Sequence, residues 1–158
     1  MPRITTFLTF NNQAEDAARL YTSVFPNSKI RNVNRFPEGV PGIPAGTVMT
    51  VSFELDGAPF VALNGGPSFR FAEGISLYVD CENQKEVDHY WDRLTDGGAE
   101  QPCGWLKDRF GVSWQIIPRA LTELLSDPDR ARSQRVMNAM LQMKKIDIAA
   151  LRRAHGGQ

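Results

Sequence analysis

Residues 4–15 read Ile-Thr-Thr-Phe-Leu-Thr-Phe-Asn-Asn-Gln-Ala-Glu, and residues 75–86 read Ile-Ser-Leu-Tyr-Val-Asp-Cys-Glu-Asn-Gln-Lys-Glu. At a spacing of 71, Ile4 falls on Ile75, Thr5 on Ser76, Phe7 on Tyr78, Leu8 on Val79 and Asn12-Gln13 on Asn83-Gln84. The apolar–polar alternation predicts a strand, and Asn followed three residues later by Glu predicts a capping box at a helix start. A strand running into a helix is therefore written twice. Such a repeat implies a pseudo-twofold architecture with a ligand cleft where the copies meet.

Working outward, Ala14, Ala17, Ala18, Tyr21 and Phe25 recur at helical spacing, and Phe25-Pro26-Asn27 ends that helix. Residues 28–35 read as a strand. Three prolines and three glycines make residues 37–46 a loop, and Asp56-Gly57 predicts a hairpin between strands 47–55 and 58–64. The second copy repeats the order. Strand 75–81 leads to a helix capped by Asn83 and Glu86, with Val87, Tyr90, Trp91 and Leu94 as its apolar stripe and Gly97-Gly98 as its stop. Short strands follow near 100–103, 105–109 and 112–117, and Gly111-Val112-Ser113-Trp114 corresponds to Gly57-Ala58-Pro59-Phe60.

The expected fold class is α+β: two βαβββ repeats forming a curved mixed sheet with a cleft, plus C-terminal helices. Repeat one covers about 3–66, repeat two about 74–118 and the helical extension about 119–158, within a single domain. In the extension, Asp127-Pro128-Asp129 predicts a helix start with proline in its first position. Val136, Ala139, Met140 and Met143 form the apolar face of that helix, and a short helix covers 147–154. A helix outside both repeats must cover something, so its stripe is expected to pack on its own or a partner's sheet, in a homodimer.

Eighteen basic side chains balance eighteen acidic ones, with no basic stripe, so a nucleic-acid partner is not expected. No apolar run approaches the ~20 residues that span a membrane. Met1-Pro2-Arg3 followed directly by a strand pattern does not read as a signal peptide. Cys81 and Cys103 form neither a metal-type pair nor a disulfide framework, which points to reduced thiols and a cytoplasmic location.

The repeated βαβββ unit resembles the vicinal oxygen chelate superfamily, which includes glyoxalase I, extradiol dioxygenases and bleomycin- and fosfomycin-resistance proteins. Within it the chain resembles the PhnB-like branch, labelled 3-demethylubiquinone 3-methyltransferase-like. Three blocks carry the resemblance: Cys103-Gly104-Trp105-Leu106-Lys107-Asp108-Arg109-Phe110-Gly111-Val112-Ser113-Trp114-Gln115-Ile116-Ile117-Pro118, Ala139-Met140-Leu141-Gln142-Met143-Lys144-Lys145-Ile146-Asp147-Ile148, and Leu63-Asn64-Gly65-Gly66-Pro67. The resemblance implies metal ligands on the first and last strands of each copy. Those positions fall on Thr5, Ser76, Val61 and Gln115, a poor set for a divalent cation. His89 lies on the second helix and His155 in the tail. No metal is expected, and no cofactor. The strand-to-helix turns, Phe10-Asn11-Asn12 and Cys81-Glu82-Asn83, lack the glycines of an S-adenosylmethionine or dinucleotide site.

If the sheets curve as in the superfamily, alternation assigns Ile4, Leu8, Ile75, Leu77, Val79, Val112, Trp114 and Ile116 to the core. It assigns Thr5, Phe7, Thr9, Ser76, Tyr78, Ser113 and Gln115 to the opposite face. Aromatic rings, an amide and hydroxyls suit a small, neutral or weakly polar organic molecule. The ligand-binding candidates are Thr5, Phe7, Asn64, Ser76, Tyr78, Trp105 and Gln115, with Gln115 expected to border the main cavity within reach of Thr5 or Ser76. No catalytic residue is assigned. Cys103 is a candidate nucleophile, with Lys107 and Arg109 on its side if the strand is unbroken, or else a small buried thiol. Asp108 is a candidate general base or the first residue of a hairpin turn. Asn64 either presents an amide to a cleft or caps a turn. The leading expectation is binding of a small organic molecule. Its rivals are a metal-dependent isomerase, lyase or dioxygenase, the methyl transfer of the family label, and a purely structural or partner-binding dimer.

Overall fold

The computed structural model describes residues 1–158, which divide into two compact units, Met1–Arg70 and Phe71–Gln158. The first holds β1 (Thr6–Phe10), α1 (Ala14–Val24), β2 (Lys29–Arg35), β3 (Val48–Leu55) and β4 (Ala58–Asn64). The second holds β5 (Leu77–Cys81), α2 (Gln84–Thr95), β6 (Ala99–Glu100), β7 (Trp105–Lys107) and β8 (Ser113–Pro118). The helices α3 (Arg119–Leu125), α4 (Arg130–Leu141) and α5 (Ile148–His155) complete the second unit. The sheets have the same order, β1-β4-β3-β2 and β5-β8-β7-β6, with the first pair parallel and the rest antiparallel. The α+β class and the two βαβββ repeats stand as the sequence predicts.

In the first unit Leu8, Ala62 and Val51 lie abreast, and all are buried beneath Ala14, Ala17, Ala18 and Tyr21 of α1. The Tyr21 ring lies 6.2 Å from that of Phe53, which stacks on Phe60 at 5.4 Å. Asp56 and Gly57 adopt φ of 47° and 79°, the left-handed pair a tight two-residue hairpin requires. In the second unit Val87, Tyr90, Trp91 and Leu94 of α2 are buried as the stripe predicts, together with Leu106, Trp114 and Ile116.

Five local expectations are corrected. Ile4 and Ile75 are 96% and 80% exposed, because each precedes the first paired residue of its strand and lies beyond the sheet–helix core. Leu77 and Val79 are only half-buried. Asn12 does not cap α1: the helix start is Gln13, without a side-chain cap, and the Ala14 N–H donates to Asn64 Oδ1 from β4 at 2.9 Å. The second copy keeps its capping box, with Glu86 N donating to Asn83 Oδ1 at 3.0 Å and Glu82 N donating to Glu86 Oε2 at 2.7 Å. The expected strand 100–103 breaks after Glu100 into a 3-10 turn, Pro102–Gly104. The cap of α4 is Asp129, whose carboxylate accepts from Ala131 N and Arg132 N, so Pro128 precedes the helix rather than starting it.

The extension closes on its own unit. Val136 joins Ile117, Leu121, Ile146 and Leu151 in one buried cluster, with Ala139, Met140 and Met143 packed against it. Backbone bonds run from Cys103 N to Met143 O and from Gly104 N to Lys144 O, both 2.8 Å. A Cβ on Gly104 would come within 2.8 Å of Ile117 and 3.1 Å of Ile146, at φ 83°, so only glycine lets the two segments meet. Gln84 ties the same segment to α2, donating to Ile146 O at 2.9 Å and accepting from Ile148 N at 2.8 Å. Gln84→Met removes both bonds and strands two backbone groups. We expect a loss of about 1–3 kcal/mol, seen as a lower urea midpoint at unchanged m-value.

Candidate functional site

The second sheet sets Tyr78, Gln115 and Trp105 in one row, since Tyr78 pairs with Gln115 and Gln115 with Trp105. Residues opposed in this way have Cβ atoms about 5 Å apart. The row faces away from α2, because its neighbours Leu106, Trp114 and Ile116 alternate onto the buried side. Tyr78 is 53% exposed, while Gln115 and Trp105 are half-buried. Gln115 Nε2 donates to Ser76 Oγ at 2.9 Å, which is the contact expected between them. That bond leaves the Gln115 Oε1 acceptor and the Ser76 hydroxyl proton without partners inside the chain. Two residues along the same face, the Ser113 hydroxyl is buried with no hydrogen-bond partner. The face therefore offers one acceptor and one donor between aromatic rings, with the Ser113 hydroxyl enclosed beside them.

The first sheet repeats the geometry with different chemistry. Phe7 pairs with Val61 and Val61 with Ser52, so Phe7 stands where Tyr78 does and Val61 where Gln115 does. Phe7 is 58% exposed and Thr5 lies ahead of β1, also exposed. At Thr5, Ser76, Val61 and Gln115, the places where the resemblance implies metal ligands, stand two hydroxyls, an apolar side chain and an amide already bonded through its nitrogen. No imidazole or carboxylate is among them, and this set does not fit a divalent cation. No three His, Cys, Asp or Glu side chains converge elsewhere.

Neither catalytic candidate is among the paired residues of this row. Asp108 is 3% exposed, and its carboxylate accepts from Phe110 N at 2.8 Å, Val112 N at 3.1 Å and Trp114 Nε1 at 2.9 Å. It organises the turn between β7 and β8. Cys103 has φ 63° inside the 3-10 turn, so the alternation that aligned it with Lys107 and Arg109 does not hold. Lys107 pairs with Glu73, and Arg109 binds Asp96 at 3.1 Å. Cys81 is fully buried, and burial, reinforced by the charges of Glu86 and Asp80, pushes its thiol up to about 12. His155 is bound to Asp127 at 2.7 Å and serves the helical extension.

Asn64 does not orient a ligand in the way a free amide would. It accepts from Ala14 N and donates to Val48 O at 3.0 Å, joining β4 to α1 and β3. Next to it Gly65 N donates to Phe10 O at 2.8 Å, and a Cβ on Gly65 would sit 2.5 Å from the Thr9 methyl. This corner forms part of an open cavity of about 720 Å³ within the first unit, lined also by Phe36, Ile43, Met49 and Leu63. Gln115 is not part of its lining. Sequence reasoning missed this cavity and the unpartnered Ser113. A usable signal for the cavity was the length of the β2–β3 connection, residues 36–47, against residues 101–104 between β6 and β7.

Comparison with known proteins agrees with this architecture. The profile of the 3-demethylubiquinone-9 3-methyltransferase family matches residues 2–117. The PhnB protein of Bacillus cereus is 37% identical, with a TM-score of 0.68 over 74% of this chain and 99% of its own. A Staphylococcus aureus protein is 35% identical over 73% of this chain and 94% of its own, at a TM-score of 0.34. Protein PA1353 of Pseudomonas aeruginosa is 20% identical over 75% of this chain and 98% of its own, at 0.60. No curated protein sequence matches. The chain belongs to this PhnB-like family.

Two outcomes follow from the placement of the candidates. Asp108→Ala should cost about 3 kcal/mol or more, because three N–H donors lose their acceptor, and Asp108→Asn less; urea unfolding followed by tryptophan fluorescence checks both. Iodoacetamide at pH 8 should alkylate Cys103 and spare Cys81 until denaturant is added, as peptide mass mapping would show.

Proposed function

We propose that this protein binds a small, neutral or weakly polar organic molecule on the open face of its second sheet, without a metal. The observation that carries the reading is the row Tyr78–Gln115–Trp105, with the partly satisfied amide at its centre and the Ser76 hydroxyl beside it. A ligand carbonyl would accept from the Ser76 hydroxyl, and a ligand hydroxyl would donate to Gln115 Oε1, while the rings cover its apolar body. Thr5 and Phe7 hold the matching places on the first sheet and would contact ligand in the same manner.

The metal-dependent alternative lacks ionisable donors at the ligand positions. Methyl transfer lacks a glycine-rich strand-to-helix turn, since Asn11-Asn12-Gln13 and Glu82-Asn83 connect strands to helices here. The half-exposed Phe7 and Tyr78 and the exposed Ile4 and Ile75 support assembly as a homodimer, because apolar surface of this kind marks contact sites. The two free thiols support a reducing compartment, the cytoplasm. No helix is long and apolar enough to cross a membrane.

The test is native mass spectrometry of the purified protein, alone and after exposure to a library of neutral fragments. Gln115→Leu should keep the circular dichroism and thermal midpoint of the wild type and lose bound ligand by about tenfold, the equivalent of one buried hydrogen bond of ~1.5 kcal/mol. Ligand retained by the variant, or stoichiometric metal bound through Thr5, Ser76 or Gln115, would overturn the reading.

A further inference from the structure

The two repeats share one topology but not one β2–β3 connection. Between β6 and β7 the fold needs only residues 101–104, whereas residues 36–47 join β2 to β3. The longer loop is internally built. Phe36 N donates to Thr47 O, Gly46 N to Phe36 O, Thr47 N to Pro44 O and Arg35 Nη1 to Gly46 O. Gly39, Gly42 and Gly46 all have φ near +80°, so the path depends on glycine. The loop contributes Phe36, Ile43 and Pro44 to the wall of the cavity of about 720 Å³. A volume of this order suits a drug-sized organic molecule.

The wall is mostly apolar, with Asn11, Asn12, Thr47 and Asn64 as its neutral polar residues, and its charge has one sign. Leu63, Val48 and Met49 add to the loop residues, while Glu15 and Asp16 are the only charged side chains in the lining. Glu15 is bonded to Arg19 at 2.7 Å. Asp16 has no ion pair inside the chain. Asn64 and Gly65 hold the corner rigid through bonds to α1, β3 and β1. We propose that this cavity is a second ligand site, separate from the Gln115 row, and that it takes an organic monocation: an amine or quaternary ammonium on an apolar body. The body would pack on Leu63, Met49 and Ile43. The cation would sit at Asp16, with the Phe36 ring as a further attractive surface.

The experiment is an NMR titration of the full chain with three probes of similar size: phenethylammonium, 2-phenylethanol and 3-phenylpropionate. The expected result is that phenethylammonium shifts the backbone amides of Gly42, Gly65 and Gly66, and binds severalfold more tightly than the alcohol. The carboxylate should bind least. Asp16→Asn should reduce the preference for cation over alcohol by about two- to fivefold, the range of an ion pair at an exposed carboxylate, and leave alcohol binding unchanged. Raising salt should reduce it in the same direction. Equal binding of alcohol and cation would overturn the charge assignment. Shifts elsewhere, or none with any probe, would overturn the site. Shifts of the Gly42 and Gly66 amides on simple dilution would show that a second copy of the chain occupies the cavity, which also overturns it. None of these outcomes depends on Gln115, so the two sites are judged independently.

Discussion

Parallel pairing of the first and last strand in each repeat constrains everything else in this structure. Parallel neighbours cannot be joined by a tight turn; the chain must cross from one end of the sheet to the other. Here α1 and α2 make that crossing, and each then lies on one face of its sheet. Leu8, Ala62 and Val51 in the first sheet, and Leu106, Trp114 and Ile116 in the second, are buried because a helix covers that face. The opposite face receives no element of its own repeat. Phe7 and Tyr78 stay half-exposed for this reason, and the chemistry available to the protein is whatever stands on that side.

The blocks by which the chain resembles its family help to build the fold. Gly104 allows Ile117 and Ile146 to meet, and Asp108 collects three N–H groups in the turn before β8. Asn64 and Gly65 lock the end of β4 to α1 and β1. The block 139–148 supplies the carbonyls that Cys103, Gly104 and Gln84 need. Membership in the family is therefore secure while the ligand is not named by it. Buried polar groups tolerate little substitution because each unmet partner costs ~1–3 kcal/mol, whatever the protein binds.

The two repeats have diverged where packing leaves them free. Val61 and Gln115 occupy one position on two sheets, yet one is apolar and the other an amide bonded to Ser76. The connection after β2 is long and walls a cavity, and its counterpart after β6 is a single 3-10 turn that anchors the C-terminal helices. The first unit thus provides a cavity and the second a polar row, on scaffolds with the same strand order.

The sequence by itself determined the repeat, the strand–helix–strand–strand–strand order, the helix stripes and the face on which Gln115, Tyr78 and Ser76 stand. All of these follow from periods of 2 and 3.6 and from turn residues such as Asp56-Gly57, which act within a few positions along the chain. Only the tertiary structure decided what long-range partners impose. Asn64 caps α1 across fifty residues, so Asn12 is not needed there. Cys103 leaves the extended conformation because its N–H is drawn to Met143, and this breaks the alternation that had placed Lys107 and Arg109 beside it. Asp108 is buried because Trp114 brings an indole N–H to it. The cavity in the first unit arises from a loop that looks structureless as a string of prolines and glycines, and acquires its shape only when Phe36 and Thr47 pair across it. Local pattern encodes which way a side chain faces; which distant group meets it there depends on how the elements pack.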